Sequence, residues 1–394
     1  MRRYLVGQVA SVIGAWSQIV ALNLLVYELT ASAWLLGLLN FLIYGPMLFV
    51  APFAGGRLSS GGVKRVLLAV LVANASLSGV LWWCVMAGTN NIWLLLVIAT
   101  CSGALSAAEL PARLVLITGM LQDARHTTNA ISLNVLANNV ARMLGAPVGA
   151  ALFAFCGAAI VFALCVATTL AMAACVATIP VLARDGVRQR GAGLREGLRY
   201  VRHEPFASFY LPVIGLMGMF AASYPTLVPL LSGSVFGNAS RFTGLFLSCA
   251  GGGAVVASLT LSSRIGSFVA PRLIGVSHWI ACASLASVAI APSVAAASAA
   301  FLLLGACVTF TNSASSALML QQCPDPMRGP IAGLYSMAFA GVLPFGHLLI
   351  GALSSQMGAR ATALAMALSL AAVLLMLRWI HSQWHPGASP AARR

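Results

Sequence analysis

Hydrophobic positions in this chain fall into long, nearly unbroken runs separated by short polar stretches. They show neither the strict alternation of a half-buried strand nor the one-faced stripe of a helix on a soluble core. Twelve such runs can be laid along the chain, at 5–27, 33–56, 66–87, 92–112, 131–153, 158–182, 208–232, 242–262, 271–291, 294–318, 331–354 and 359–380. A helix needs about 20 apolar residues to cross the hydrocarbon of a bilayer. Hydrocarbon offers the backbone no partner of its own, so each run is predicted to be a membrane-spanning helix.

The widest polar gap runs from Arg184 to Glu204 and holds Arg184, Arg188, Arg190, Arg195, Arg199 and Arg202. It divides the runs six and six. The expected architecture is therefore an all-α membrane protein of twelve transmembrane helices in two six-helix, pseudo-symmetric bundles. Its parts are an N-terminal half (1–182), a central cytoplasmic loop (183–207), a C-terminal half (208–380) and a cytoplasmic tail (381–394). A small repeat agrees with parallel halves: Leu58-Ser59-Ser60 returns as Leu261-Ser262-Ser263 after the eighth run.

Composition sharpens the class. The chain is 60% hydrophobic and 7% charged, against about 45–50% and about 25% in soluble domains. The net charge of +15 would suggest nucleic acid in a soluble protein, but no stretch interleaves basic and aromatic residues as a nucleic-acid groove does. With the N-terminus in the cytoplasm, 20 of the 22 lysines and arginines fall on the cytoplasmic side, leaving Arg241 and Arg360 outside. The positive-inside rule then places both termini in the cytoplasm of a cell whose inner membrane holds the protein. The run from Leu5 to Tyr27 is too long for the apolar region of a cleaved leader, about 7–15 residues. Nine scattered cysteines include no CxxC pair and suggest no metal site.

One loop imitates a phosphate cradle. GGRLSSGGVKR (55–65) spaces Gly56 and Gly61 as a Walker loop does, but Gly62 stands where lysine is required, and Lys64 is followed by Arg65. The preceding segment is a predicted membrane helix and not a strand. Nucleotide is not an expected partner and no cofactor is implied.

Several segments together resemble one family. GQVASVIGAWSQIVALNLLVYELTASAWLLG (7–37), ELPARLVL (109–116), NAISLNVLANNVARMLGAPVGA (129–150), EGLRYVR (196–202) and PDPMRGPIAGLYSMAFAGVLPFGHLLIGALSSQMGAR (324–360) occur in order and on the corresponding runs. They resemble the major facilitator superfamily, in particular its enterobactin-exporter and macrolide-efflux branch. That resemblance implies the major facilitator fold, no enzymatic activity, and alternating access to a small-molecule substrate. It also implies a gating loop at 55–65, with Arg57, Ser59, Lys64 and Arg65 as its residues here. Departures are visible: Ser59 and Ser60 stand where the family's loop carries Asp and Arg, and Ala15 replaces an aspartate common in the first helix. The export-associated motif of the fifth helix appears as Gly145-Ala146-Pro147-Val148-Gly149-Ala150, its proline one place late.

Of seven acids, Glu109 alone is expected within the bilayer. Glu109 and Arg113 have the favourable i, i+4 order of a helical pair. Two readings stand: a structural ion pair at the membrane edge, or a protonatable switch, since ionisable groups in a membrane are costly and often functional. Arg142 matches an arginine of the family's fifth helix, a candidate for attracting an anionic substrate or for tying loops together. Asn134, Asn138 and Asn139 on the same helix, and Gln18 and Asn23 on the first, are candidates for lining a cavity or for interhelical hydrogen bonds. His278 and His347, inside the ninth and eleventh runs, are read as packed side chains with one hydrogen bond, the alternative being a titrating role. Gly145 and Gly149, with Pro147 between them, form a close-packing motif. Pro212, Pro225 and Pro229 predict kinks in the seventh helix. Trp16, Phe220 and Tyr224 are aromatic surface for a cavity or for packing.

The functional expectation is a secondary active transporter exporting a small amphiphilic molecule, a siderophore or drug, in exchange for protons. Its partners are that substrate, protons and the lipid bilayer, with no obligate protein partner. The alternatives are an importer or facilitator for a related solute and, more remotely, a non-transporting membrane sensor or scaffold.

Overall fold

The computed structural model of the chain describes residues 2–49, 62–89, 91–119, 124–179, 194–263, 271–324 and 327–384. Among the described residues there is no strand. The helices are α1 (Arg2–Thr30), α2 (Ala33–Tyr44), α3 (Val63–Met86), α4 (Ile92–Gly119), α5 (Ala124–Cys156), α6 (Ala158–Thr178), α7 (Leu194–His203) and α8 (Pro205–Leu216). After a π turn at Met217–Ala221 follow α9 (Tyr224–Ser234), α10 (Ala239–Ser263), α11 (Pro271–Ile290), α12 (Val294–Gln322), α13 (Arg328–Ala340) and α14 (Leu343–Trp384). Helix covers each of the twelve apolar runs as far as the run is described, which is consistent with twelve spans.

Local chemistry sets many of the helix ends. Ser32 caps α2, its Oγ accepting from the Leu35 amide at 3.3 Å, and Ser293 caps α12 through Ala296 at the same distance. Such caps are worth about 1 kcal/mol each. Gly157 separates α5 from α6 with φ 79°, and Gly358 breaks α14 with φ 80°. These are left-handed conformations that other residues adopt only with strain, so the single element Leu343–Trp384 holds the end of the eleventh run and all of the twelfth.

The seventh run is interrupted as its prolines predict, though the break lies between them. The amide of Ala222 bonds to the Met217 carbonyl at 2.8 Å, a π-type link, and Ser223 Oγ bonds to the Met219 carbonyl. One element was not expected. Residues 194–203, inside the polar gap, form α7, because Gly197 and Val201 give it an apolar side that docks on α13. A β-carbon on Gly197 would lie 2.8 Å from Pro330 Cβ.

The chain divides into two compact units. The first comprises Met1–Arg188 and Val228–Gly251, the second Gln189–Leu227 and Gly252–Arg394. In the first, α1 lies against α5 and α6, α3 against α4 and α6, and α2 against α4. In the second, α11 packs on α12 and α14, and α13 packs on α7 and α8. Large apolar side chains such as Phe155 (88% exposed), Trp83 and Leu368 stand on the outside of these units. In water such a surface would drive aggregation; on apolar spanning helices it is the surface that faces lipid.

Candidate functional site

The candidate site is a buried polar network inside the first unit. It begins on α1, where Tyr4, Gln8, Ser11 and Gln18 recur at helical spacing and all are buried. Opposite them, Arg113 of α4 is 7% exposed. Its Nη1 donates to Gln8 Oε1 at 2.7 Å, its Nη2 to Ser11 Oγ at 3.2 Å, and its Nε to Glu109 Oε1 at 2.6 Å. Glu109 and Arg113 also form the single ion pair among the described residues.

The network extends to two more helices. Asn74 of α3 donates to Glu109 Oε2 at 3.3 Å. Gln8 Nε2 donates to Asn138 Oδ1 on α5 at 3.3 Å, and Asn138 Nδ2 bonds to the Asn134 carbonyl one turn earlier. The Tyr4 hydroxyl and Asn134 Oδ1 are buried and find no hydrogen-bond partner among the described residues.

Burying an ion pair costs desolvation, which is offset only when geometry and further hydrogen bonds are good. Here three neutral groups, from Gln8, Ser11 and Asn74, complete the shell. The chemistry is asymmetric. A guanidinium keeps its charge throughout, whereas a carboxylate loses its charge on taking up a proton. Protonating Glu109 would leave Arg113 held only by neutral acceptors.

The other expected residues fall in different places. Gln18 Oε1 accepts from Ser78 Oγ at 2.7 Å, and Ser78 also reaches the Asn74 carbonyl, so α3 carries a branch of polar contacts from Asn74 towards Gln18. Asn23 pairs with Asn40 of α2, Asn40 Nδ2 donating to Asn23 Oδ1 at 2.6 Å, and both amides also bond a carbonyl one turn back. Gly145 and Gly149 face α1: Ser17 Oγ donates to the Gly145 carbonyl at 2.8 Å, and a β-carbon on Gly149 would lie 2.5 Å from Ser17 Cα. Pro147 lies within α5 between them.

In the first turn of α3, Lys64 Nζ donates at 2.8 Å to the carbonyls of Ala177 and Ile179, at the C-terminal end of α6, while Arg65 is exposed. Arg57 and Ser59 lie outside the described residues. Arg142 belongs to α5, but its side chain and that of Asn139 lie outside them too.

Five contributors were not singled out from sequence as site residues: Gln8, Ser11, Asn40, Asn74 and Ser78. The polar stripe through Gln8 and Gln18 on α1 was the available signal for Ser11. Nothing local marks Asn74, whose partner is 35 positions away.

The second unit buries polar groups differently. His347 on α14, 1% exposed, shares a 2.7 Å hydrogen bond through Nδ1 with Thr226 Oγ1, just past the π turn. Beside it, a β-carbon on Gly346 would lie 2.8 Å from Ser223 Oγ, and one on Gly218 would lie 2.6 Å from the Phe339 carbonyl, so the broken helix meets its neighbours backbone to backbone. Ser277 Oγ contacts Thr311 Oγ1 at 3.0 Å, and Tyr335 donates to Asn312 Oδ1 at 2.6 Å. Glu204, the acid whose side chain is described in this unit, is exposed. An apolar cavity of about 450 Å³, lined by Leu211, Pro212, Leu216, Ala338, Val373 and Leu377 among others, presents no hydrogen-bonding side chain.

Comparison with known proteins places this arrangement. The chain is 23% identical over 380 residues to the staphyloferrin A transporter of Staphylococcus aureus (strain NCTC 8325 / PS 47), covering 94% of this chain and 93% of that one. Its fold matches the nucleoside transporter NupG with a TM-score of 0.75 at 13% identity, covering 96% and 98% of the two chains. It also matches an inward-facing, unoccupied bacterial homologue of the human lysosomal transporter Spinster, with a TM-score of 0.72 at 14% identity and 96% coverage of each. The family described as transmembrane secretion effector matches residues 2–388. The chain therefore belongs to the transmembrane secretion effector family of major facilitator membrane transporters.

Proposed function

We propose that this protein exports a small amphiphilic molecule, of the siderophore or drug type, across the bacterial inner membrane in exchange for protons, by alternating access with both termini in the cytoplasm. The observation that carries the reading is the Glu109–Arg113 pair. It is an acid within a spanning helix, joined to Gln8, Ser11, Asn74 and, through Gln8, Asn138. In this reading Glu109 takes up the proton, and the released Arg113 changes its hold on α1 and α5. The siderophore transporter among its relatives supports the substrate class.

The test uses inverted membrane vesicles with an imposed proton gradient, and staphyloferrin A and a fluorescent amphiphilic dye as probes. Export appears as accumulation of a probe inside the vesicles. Glu109→Gln keeps the hydrogen-bonding shape but not the titratable charge, so gradient-driven accumulation is lost at a normal membrane level of protein. Full accumulation in that variant would remove Glu109 from coupling. Gradient-driven loss of probe from the vesicles would favour import.

A further inference from the structure

A cluster of positive charge lies at one end of the second unit, far along the chain from the Glu109 network. Arg272 is exposed in the first turn of α11, and Arg378 is exposed near the end of α14. The two helices pack on each other. Arg378 reaches across to α11: its guanidinium lies over the Trp279 ring, 5.3 Å from the centroid, and its Nη2 lies 2.9 Å from where a β-carbon on Gly275 would be. Gly275 follows Arg272 by three residues, and positions three apart are neighbours on a helix surface, about 5–6 Å between Cβ atoms. Gly275 therefore makes room for the Arg378 guanidinium within one helical turn of position 272.

Among the described residues neither arginine forms an ion pair. The first turn of a helix carries partial positive charge from its free amides, so a cation there is unfavourable. Here Arg272 stands in such a turn, and the Arg378 guanidinium lies over Gly275, three residues further on. Among the described residues the one ion pair of the chain is Glu109–Arg113, in the other unit. The surroundings fix the kind of anion. Arg272 opens the span Pro271–Ile290, and Arg378 stands two residues before the end of the span Pro330–Ile380, so both lie at the edge of the hydrocarbon. Trp379, 65% exposed, stands beside Arg378, and tryptophans of this kind settle at headgroup depth. Below it, Val276 of α11 and Leu375 of α14 present apolar surface. Tyr210 Oη holds the Pro271 carbonyl at 3.5 Å and so anchors the start of α11.

We propose that Arg272 and Arg378, the latter seated over Gly275 and the Trp279 ring with Trp379 beside it, form a binding site for the phosphodiester headgroup of an anionic phospholipid such as phosphatidylglycerol. The two guanidinium groups take the phosphate oxygens, for which their planar forks are suited. The acyl chains run along the exposed apolar faces of α11 and α14.

The test is lipid binding by the full-length protein in neutral detergent, measured by native mass spectrometry with phosphatidylglycerol or phosphatidylcholine added. The wild type retains phosphatidylglycerol in preference to phosphatidylcholine. In Arg272→Gln/Arg378→Gln the affinity for phosphatidylglycerol falls roughly thirtyfold, the loss of two interfacial arginines, whereas Arg272→Lys/Arg378→Lys keeps most of it. Melting of each variant in phosphatidylcholine micelles checks that it is folded. Undiminished phosphatidylglycerol binding by the glutamine variant, or equal retention of the two lipids by the wild type, overturns the site. Displacement of the lipid by inorganic phosphate at comparable concentration overturns a lipid as its occupant.

Discussion

The two units solve the burial of polar groups in opposite ways. The first gathers an acid, an arginine, two glutamines, two asparagines and serines from α1, α3, α4 and α5 into connected contacts. The second distributes its groups into separate pairs, Thr226 with His347, Ser277 with Thr311 and Tyr335 with Asn312, and no described acid joins them. Separate pairs between neutral groups and imidazole stitch helices together at modest gain, about 1 kcal/mol each. A connected network around a buried charge is costly unless complete, and its members respond together when the charge changes. Under the proposed function, gradient-sensitive chemistry belongs to the first unit, while the second holds separate polar pairs around a broken helix.

The comparison breaks most sharply in transport. Glu109→Gln lowers gradient-driven flux at least about tenfold, a barrier change of about 1.4 kcal/mol or more. His347→Gln, in the second unit, leaves flux within about twofold (under about 0.5 kcal/mol). Vesicle accumulation assays on the pair decide it, and equal losses would dissolve the distinction.

Stability is the next measure. Arg113→Met leaves the partly buried Glu109 without its partner and lowers unfolding free energy by less than the about 3–5 kcal/mol of a fully buried pair. Adding Glu109→Gln to it restores part of that loss, because no unpaired charge then remains. Reversible denaturation in mixed micelles reads both. Thr226→Val in the second unit removes one hydrogen bond of His347 and costs about 0.5–1.5 kcal/mol. If its partner variant His347→Phe restores nothing, the pair is more than a packing contact.

The smallest effects lie on neighbouring residues of α3. Lys64→Met removes two bonds to the end of α6 and costs about 1.5–3 kcal/mol at most, less where water competes. Arg65→Gln, exposed, stays within about 0.5 kcal/mol. Thermal-shift measurements on the two variants separate an anchoring lysine from a topological arginine.

Much of the fold was legible because its signal is composition over length. A run such as 158–182 contains no charged residue before its end, and α6 forms there whatever surrounds it. The interruptions were partly legible: three prolines announced a broken seventh helix, but the position of the π turn depends on close approach at Gly218 and Gly346. The helix α7 was missed because its docking partner, Pro330, is more than a hundred residues away. Of the candidate site, the Glu109–Arg113 pair was readable from its spacing. Asn23 looked equivalent to Gln18 in sequence, yet it clasps Asn40 while Gln18 meets Ser78. Lys64 stood in a loop resembling a gate, and its contacts are with the end of α6.

Sequence by itself determined that this chain lives in a membrane, as helices. Those facts follow from transfer free energies summed along the chain, which each residue contributes almost independently of its distant neighbours. Only tertiary structure decided which polar side chains meet. A hydrogen bond between Arg113 and Gln8 needs side-chain atoms of two helices 105 positions apart in the chain brought to 2.7 Å, which no local property of either helix sets. It likewise decided that Arg378, 103 positions beyond Gly275 in the chain, fills the space that this glycine leaves open.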